Sequence, residues 1–151
     1  MATASDNEID LFVTDLNGNL RGKRLPANAL DSLNTNGIKM PRSVLGVDFW
    51  GNDVIDNGLV YETGDSDGVC MPVAETWVSA SWQTPPREQV LAMMFNPDGT
   101  PFGADPRQVL NAVVKQYTKL GLRPVVALEL EFYLLDADSD ATRRPLPPVL
   151  A

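Results

Sequence analysis

The sequence predicts an α+β fold, and three observations carry that prediction. Two short β-type segments flank an Asn-Gly turn between Ile9 and Leu25, which is the signature of a hairpin. More strand patterns, separated by turn residues, run from Val69 to Phe95. After Pro101 the apolar residues recur at helical spacing, and a long alternating segment follows.

Ile9 to Asp15 reads as a strand, Asn17-Gly18-Asn19 as the turn, and Leu20 to Leu25 as the returning strand. Pro26, Ala27, Leu30 and Leu33 suggest a short helix that ends near Asn36-Gly37. From Pro41 to Gly68 the chain is rich in Gly, Asp and Asn and reads as a long, partly ordered loop, a kind of segment that often carries function. Val69 to Val73, Trp77 to Trp82 and Gln89 to Phe95 are strand candidates, and Asn96-Pro97-Asp98-Gly99 is a strong turn. A hairpin, one helix and then several strands is the order of a small sheet packed on a helix, for which β-grasp is the natural arrangement.

Asp105 can cap a second helix, Pro106 suits its first position, and Val109, Leu110, Val113, Val114 and Tyr117 form its apolar stripe up to Gly121. Val125 to Asp136 is expected to be a long strand. Two domains are therefore expected: residues 1–103 as a β-grasp-like unit and 104–151 as the opening helix and strand of a larger, incomplete one.

Composition narrows the function classes. Twelve Lys and Arg against twenty Asp and Glu give a net charge of −8. Such a surface argues against nucleic acid or an anionic membrane as partner. With one cysteine and no histidine, the chain holds no internal disulfide, no His-dependent catalytic pair and no ordinary zinc site. Any metal bound here must sit among oxygens, which suits Mg²⁺, Mn²⁺ or Ca²⁺. The polar start, Met1 to Ile9, has no signal-peptide pattern, and no run is long enough for a membrane span, so the cytoplasm is expected.

On the expected strand, Val126, Leu128, Leu130, Phe132 and Leu134 share one face, while Glu129 and Glu131 share the other. Their Cα atoms would lie ~6.5–7 Å apart. Two carboxylates so placed repel one another unless a cation intervenes, so Glu129 and Glu131 are candidate metal ligands. The bland alternative is a solvated strand face that happens to carry two acids.

The motif Leu128-Glu129-Leu130-Glu131-Phe132-Tyr133 resembles the Glu-x-Glu-Phe signature of the glutamine synthetase family. Asp65-Ser66-Asp67-Gly68-Val69-Cys70-Met71-Pro72, Asp105-Pro106-Arg107 and the segment Asp15 to Lys23 resemble further family motifs in the same order. Gly46-Val47-Asp48-Phe49-Trp50-Gly51-Asn52-Asp53, with Asn57-Gly58-Leu59, is most similar to the γ-glutamylpolyamine synthetase branch. It departs from the Phe-Asp-Gly-Ser-Ser loop of glutamine synthetase proper, which favours an organic amine over ammonia.

The resemblance implies an ATP-dependent ligase that joins the γ-carboxylate of glutamate to an amine through γ-glutamyl phosphate, with two or three Mg²⁺ or Mn²⁺ ions. Glu131 would hold the ion near the substrate carboxylate and Glu129 the ion near the ATP phosphates. Asp53, with Asp48 as its rival, would bind the incoming amine and take its proton. The family also implies a homo-oligomeric ring in which the N-terminal domain completes a neighbour's active site. The present segment alone would be inactive. Glutamine synthetase proper using ammonia, and a non-catalytic relative serving assembly or regulation, are the alternatives. Arg107 is expected to serve the helix start, Cys70 to be buried and inert, and Trp77 and Trp82 to be core or interface residues.

Overall fold

The computed structural model describes residues 8–62, 64–136 and 146. Met1 to Asn7 and most of the proline-containing tail lie outside the described residues. Six strands, β1 (Ile9–Thr14), β2 (Leu20–Leu25), β3 (Ile38–Pro41), β4 (Asp67–Pro72), β5 (Val78–Ala80) and β6 (Arg87–Phe95), accompany two α-helices, α1 (Leu30–Asn36) and α2 (Pro106–Lys119). The order across the sheet is β2-β1-β6-β4-β3, with β5 also paired to β6.

β1 and β2 form the expected antiparallel hairpin, Ile9 opposite Leu25 and Thr14 opposite Leu20. β1 then runs parallel to the first half of β6. On its other edge β6 pairs first with β5, through Arg87, Glu88 and Gln89, and then with β4, through Ala92 to Phe95. This mixed sheet with helices is the α+β architecture that the pattern of elements predicts.

Alternation explains where the core lies. Ile9, Leu11 and Val13 of β1 and Val90, Ala92 and Met94 of β6 point to one buried face. Cys70, Met40 and Leu45 join them, and Leu33 is the buried residue of α1. Trp77 packs against this cluster, whereas Trp82 is exposed, so only one of the two tryptophans belongs to the core.

Gly37 ends α1 at φ +64°, and a Cβ there would come within 2.5 Å of the Cys70 carbonyl oxygen. Both the backbone conformation and the close approach of β4 therefore require glycine. The chain continues directly into β3, a four-residue strand on the edge of the sheet. Its brevity and terminal proline hide it from a pattern search.

The second helix starts as its sequence predicts. One oxygen of the Asp105 carboxylate accepts the Arg107 amide at 2.8 Å, and the other accepts the Met94 amide at 2.6 Å. Gln108 adds a bond from its side-chain amide to the Met94 carbonyl at 3.1 Å. The first turn of α2 is thus fastened to β6.

The expected strand Val125–Asp136 does not form. Residues 122–136 carry no secondary structure. Val126, Leu128, Leu130, Phe132 and Leu134, expected to lie on a core, are 70–90% exposed. A strand exists only through partners for its N–H and C=O groups, and no described strand lies beside this segment. Correct alternation is not sufficient without them. Near its start, Arg123, Pro124 and Val126 line a shallow apolar cleft with Leu110, Val113 and Tyr117 of α2. No helix among the described residues is long and apolar enough to cross a membrane.

Candidate functional site

The turn between β1 and β2 is built around one buried carboxylate. Asp15 directly follows β1, and its Oδ1 accepts the amides of Asn17 and Asn19, each at 2.9 Å. Its Oδ2 accepts the Arg21 Nε at 2.8 Å, and the Asp15 side chain has no exposed surface. Burial alone would raise the Asp15 pKa, but the Arg21 hydrogen bond, the two amides and the Arg21 charge together hold it below the ordinary range. An Asp followed by Asn-Gly is the sequence signal for such a side-chain-closed turn.

That turn in turn holds the long loop. The Leu16 amide donates to the Leu45 carbonyl at 3.2 Å, and Asn17 Nδ2 donates to the Val47 carbonyl at 3.0 Å. Arg21 Nη2 reaches the Asp48 carbonyl at 3.4 Å. The loop closes on itself at the same point, because Asp48 accepts the Asn52 amide at 2.8 Å and Asn52 Nδ2 at 3.0 Å. The Asn52 side chain and amide are the leading causes that hold the Asp48 pKa below its ordinary value. Phe49 and Trp50 stand exposed at the tip, edge to face with ring centroids 5.3 Å apart.

These contacts separate the two candidate aspartates. Asp48 uses both carboxylate oxygens to shape the loop. Asp53 is exposed and makes no hydrogen bond or ion pair among the described residues, so its carboxylate is the one open to a ligand.

Glu129 and Glu131 lie on the exposed segment after α2, and neither is ion-paired among the described residues. The paired strand expected to carry them is not present among the described residues. Among the described residues, no three Asp, Glu or Cys side chains are grouped closely enough to hold a metal ion. What the segment supplies is two exposed carboxylates, two positions apart in the chain, with no histidine or cysteine near them in the sequence. That donor chemistry fits Mg²⁺ or Mn²⁺ as part of a larger ligand set.

Two other expectations can be placed. Cys70 is fully buried, and its thiol is pushed up to about 12, first by burial and then by the charge of Asp105. Arg107 sits in the first turn of α2, where its amide completes the Asp105 cap, and its Nε is buried without a hydrogen-bond partner among the described residues. The positioning roles of Asp15 and Arg21 are not apparent from composition or spacing. The Asp-x-Asn-Gly signal marks the turn, but the side-chain contacts from it to the loop span 27 and 30 positions along the chain.

Residues 103–149 match the family model for the glutamine synthetase catalytic domain. The chain is 43% identical over 140 residues to the γ-glutamylputrescine synthetase of Escherichia coli, a match covering 93% of this chain and 29% of that protein. It is 33% identical over 134 residues to the glutamine synthetase of Pyrococcus abyssi, covering 88% of this chain and 27% of that protein. A solved structure described as a novel glutamine synthase homolog superposes with a TM-score of 0.69 at 21% identity, over 80% of this chain and 28% of that one, which shows a shared fold. The chain thus spans under a third of the length of these relatives. The match of the region from α2 onward to the catalytic-domain model, and the similarity of nearly the whole chain to these synthetases, place it in the glutamine synthetase family.

Proposed function

We propose that the whole protein is an ATP-dependent ligase that joins the γ-carboxylate of glutamate to an organic amine. The observation that carries this reading is the 43% identity to γ-glutamylputrescine synthetase across 93% of the chain. The loop from Gly46 to Asp53 supports it, because the Phe49-Trp50 tip replaces the small polar loop that the family uses with ammonia.

The reaction balances in two steps. A γ-carboxylate oxygen attacks the γ-phosphorus of ATP and ADP leaves, giving γ-glutamyl phosphate. The amine nitrogen then attacks the carbonyl carbon of the γ-glutamyl phosphate, the bond from that carbon to the phosphate oxygen breaks, and the amine loses a proton. Asp53, with its carboxylate uncommitted, is our candidate for binding the cationic amine and accepting that proton. Glu129 and Glu131 would hold Mg²⁺ or Mn²⁺, which supplies neutralisation of phosphate charge during phosphoryl transfer.

We further propose that residues 1–103 form a β-grasp domain and that α2 opens the catalytic domain, a division supported by the start of the family match at residue 103. In the full protein, segment 125–136 would become a strand once neighbours supply its hydrogen bonds and cover its apolar side chains. A cytoplasmic homo-oligomeric ring, in which the loop carrying Asp53 reaches a neighbouring subunit, completes the proposal.

The test supplies the full-length protein with ATP, Mg²⁺ and glutamate and compares ammonium with a panel of alkyl mono- and diamines for phosphate release. The proposal expects release that depends on an organic amine and exceeds that with ammonium. Release with ammonium alone assigns the protein to ammonia chemistry, and no amine-dependent release with any nucleophile overturns the ligase reading.

A further inference from the structure

We infer that Arg21 is a positioning residue: anchored by Asp15, it fixes the 48–52 turn and thereby sets the place of Asp53. The inference rests on the proposed role of Asp53, but its structural half stands on contacts in the sheet domain alone.

Arg21 lies on β2, where its register partner is Val13, next to the end of β1. Its Nε is engaged by the buried Asp15 at 2.8 Å, so the guanidinium is held at one end by a charged, desolvated partner. Its Nη2 is thereby aimed at the Asp48 carbonyl at 3.4 Å. On the facing turn, Gly51 has φ +91°, and a Cβ there would stand 3.2 Å from Arg21 Nη1. A side chain at residue 51 would crowd the guanidinium, so glycine suits both this approach and the positive φ.

The contacts propagate in one direction. Asp48 is bonded to Asn52 in three ways: its own amide donates to the Asn52 carbonyl at 2.9 Å, and Asn52 N and Nδ2 each donate to one oxygen of its carboxylate. Fixing Asp48 therefore fixes Asn52, and Asp53 is the next residue. Asn17 supplies a second, uncharged tether through Val47. The result is a backbone held at its base and an Asp53 carboxylate left without a partner among the described residues. A planar, forked guanidinium suits this bridge, since it can hold a carboxylate and a carbonyl at once.

The test uses the full-length protein and two variants, Arg21→Met, which keeps an apolar stem, and Asn17→Ala, which removes only the second tether. Hydrogen exchange is followed in the peptide covering residues 47–53, alongside steady-state kinetics with the best amine. Arg21→Met is expected to speed exchange of this peptide about tenfold, the scale of one charge-assisted hydrogen bond. Amides of β4 and β6 should be accelerated less than this peptide. Asn17→Ala should act in the same direction and less strongly. The KM for the amine should rise about tenfold, with the KM values for ATP and glutamate within about twofold of wild type. Unchanged exchange at 47–53 in both variants, or acceleration spread equally over the sheet, overturns the positioning role. A loosened turn with unchanged amine kinetics leaves the clamp standing and removes Asp53 from the amine site.

Discussion

The Asp105 carboxylate accepts the Met94 amide at 2.6 Å while its other oxygen caps the helix that begins at Pro106. One buried side chain therefore joins the last strand of the sheet to the helix that leads toward the two glutamates.

Replacing Asp105 tests that junction. Asp105→Ala removes a cap and strands the buried Met94 amide, for an expected loss of ~2–4 kcal/mol in urea unfolding. Asp105→Asn keeps one acceptor oxygen and should lose less. A loss within ~0.5 kcal/mol for the alanine variant would show that water or another group replaces the carboxylate.

Acid titration tests the Asp15 turn. The folded-state pKa of Asp15 lies below its ordinary value of 3.8, held there against burial by Arg21 and two amides. The unfolded chain therefore takes up this proton at higher pH than the folded one. The stabilisation is complete above the ordinary range and is lost as pH falls through the depressed value. Urea midpoints should place Asp15→Asn below wild type near neutrality, with the gap narrowing below about pH 4. A gap that stays constant into acid would contradict the ionised Asp15–Arg21 pair.

Cys70 offers a probe of the core. Its thiol, pushed up to about 12 by burial and the nearby Asp105, has almost no thiolate at mildly alkaline pH. A disulfide reagent should leave the native protein unmodified over hours and react with one thiol once the chain is unfolded. Rapid modification of the native protein would mean that the sheet opens around β4.

For the proposed metal site, Glu131→Ala and Glu129→Ala in the full-length protein are each expected to lower turnover about a hundredfold or more, the scale seen when one preorganised electrostatic contact is lost. Mn²⁺ titration should show weakened binding in both. Wild-type turnover and Mn²⁺ affinity in either variant would remove that glutamate from the site.

Much of the fold is legible in the residues. The β1–β2 hairpin, α1, β4, β6 and the Asp105-capped α2 follow from turn chemistry, periodicity and capping, all of which are local. β3 was hidden because four residues ending in Pro41 carry too little pattern, and β5 is shorter than Trp77 to Trp82 suggests because Ser81 and Trp82 belong to a turn. Segment 125–136 shows the converse: perfect alternation, no strand, because pairing depends on partners and not on pattern. In the candidate site, the spacing of Glu129 and Glu131 and the family resemblance at Asp53 are what the sequence offers. The clamp from Asp15 through Arg21 to Asp48 is not legible there, since nothing local links residue 21 to residue 48.

The most direct test of the central claim follows the oxygen atom that the proposed acyl phosphate must transfer. Glutamate labelled with ¹⁸O in its γ-carboxylate is incubated with the full-length protein, ATP, Mg²⁺ and the preferred amine, and the released phosphate is weighed by mass spectrometry. Activation through γ-glutamyl phosphate predicts one ¹⁸O in each phosphate released, with the other retained in the γ-glutamyl amide. Amine-dependent phosphate that carries no ¹⁸O would contradict it.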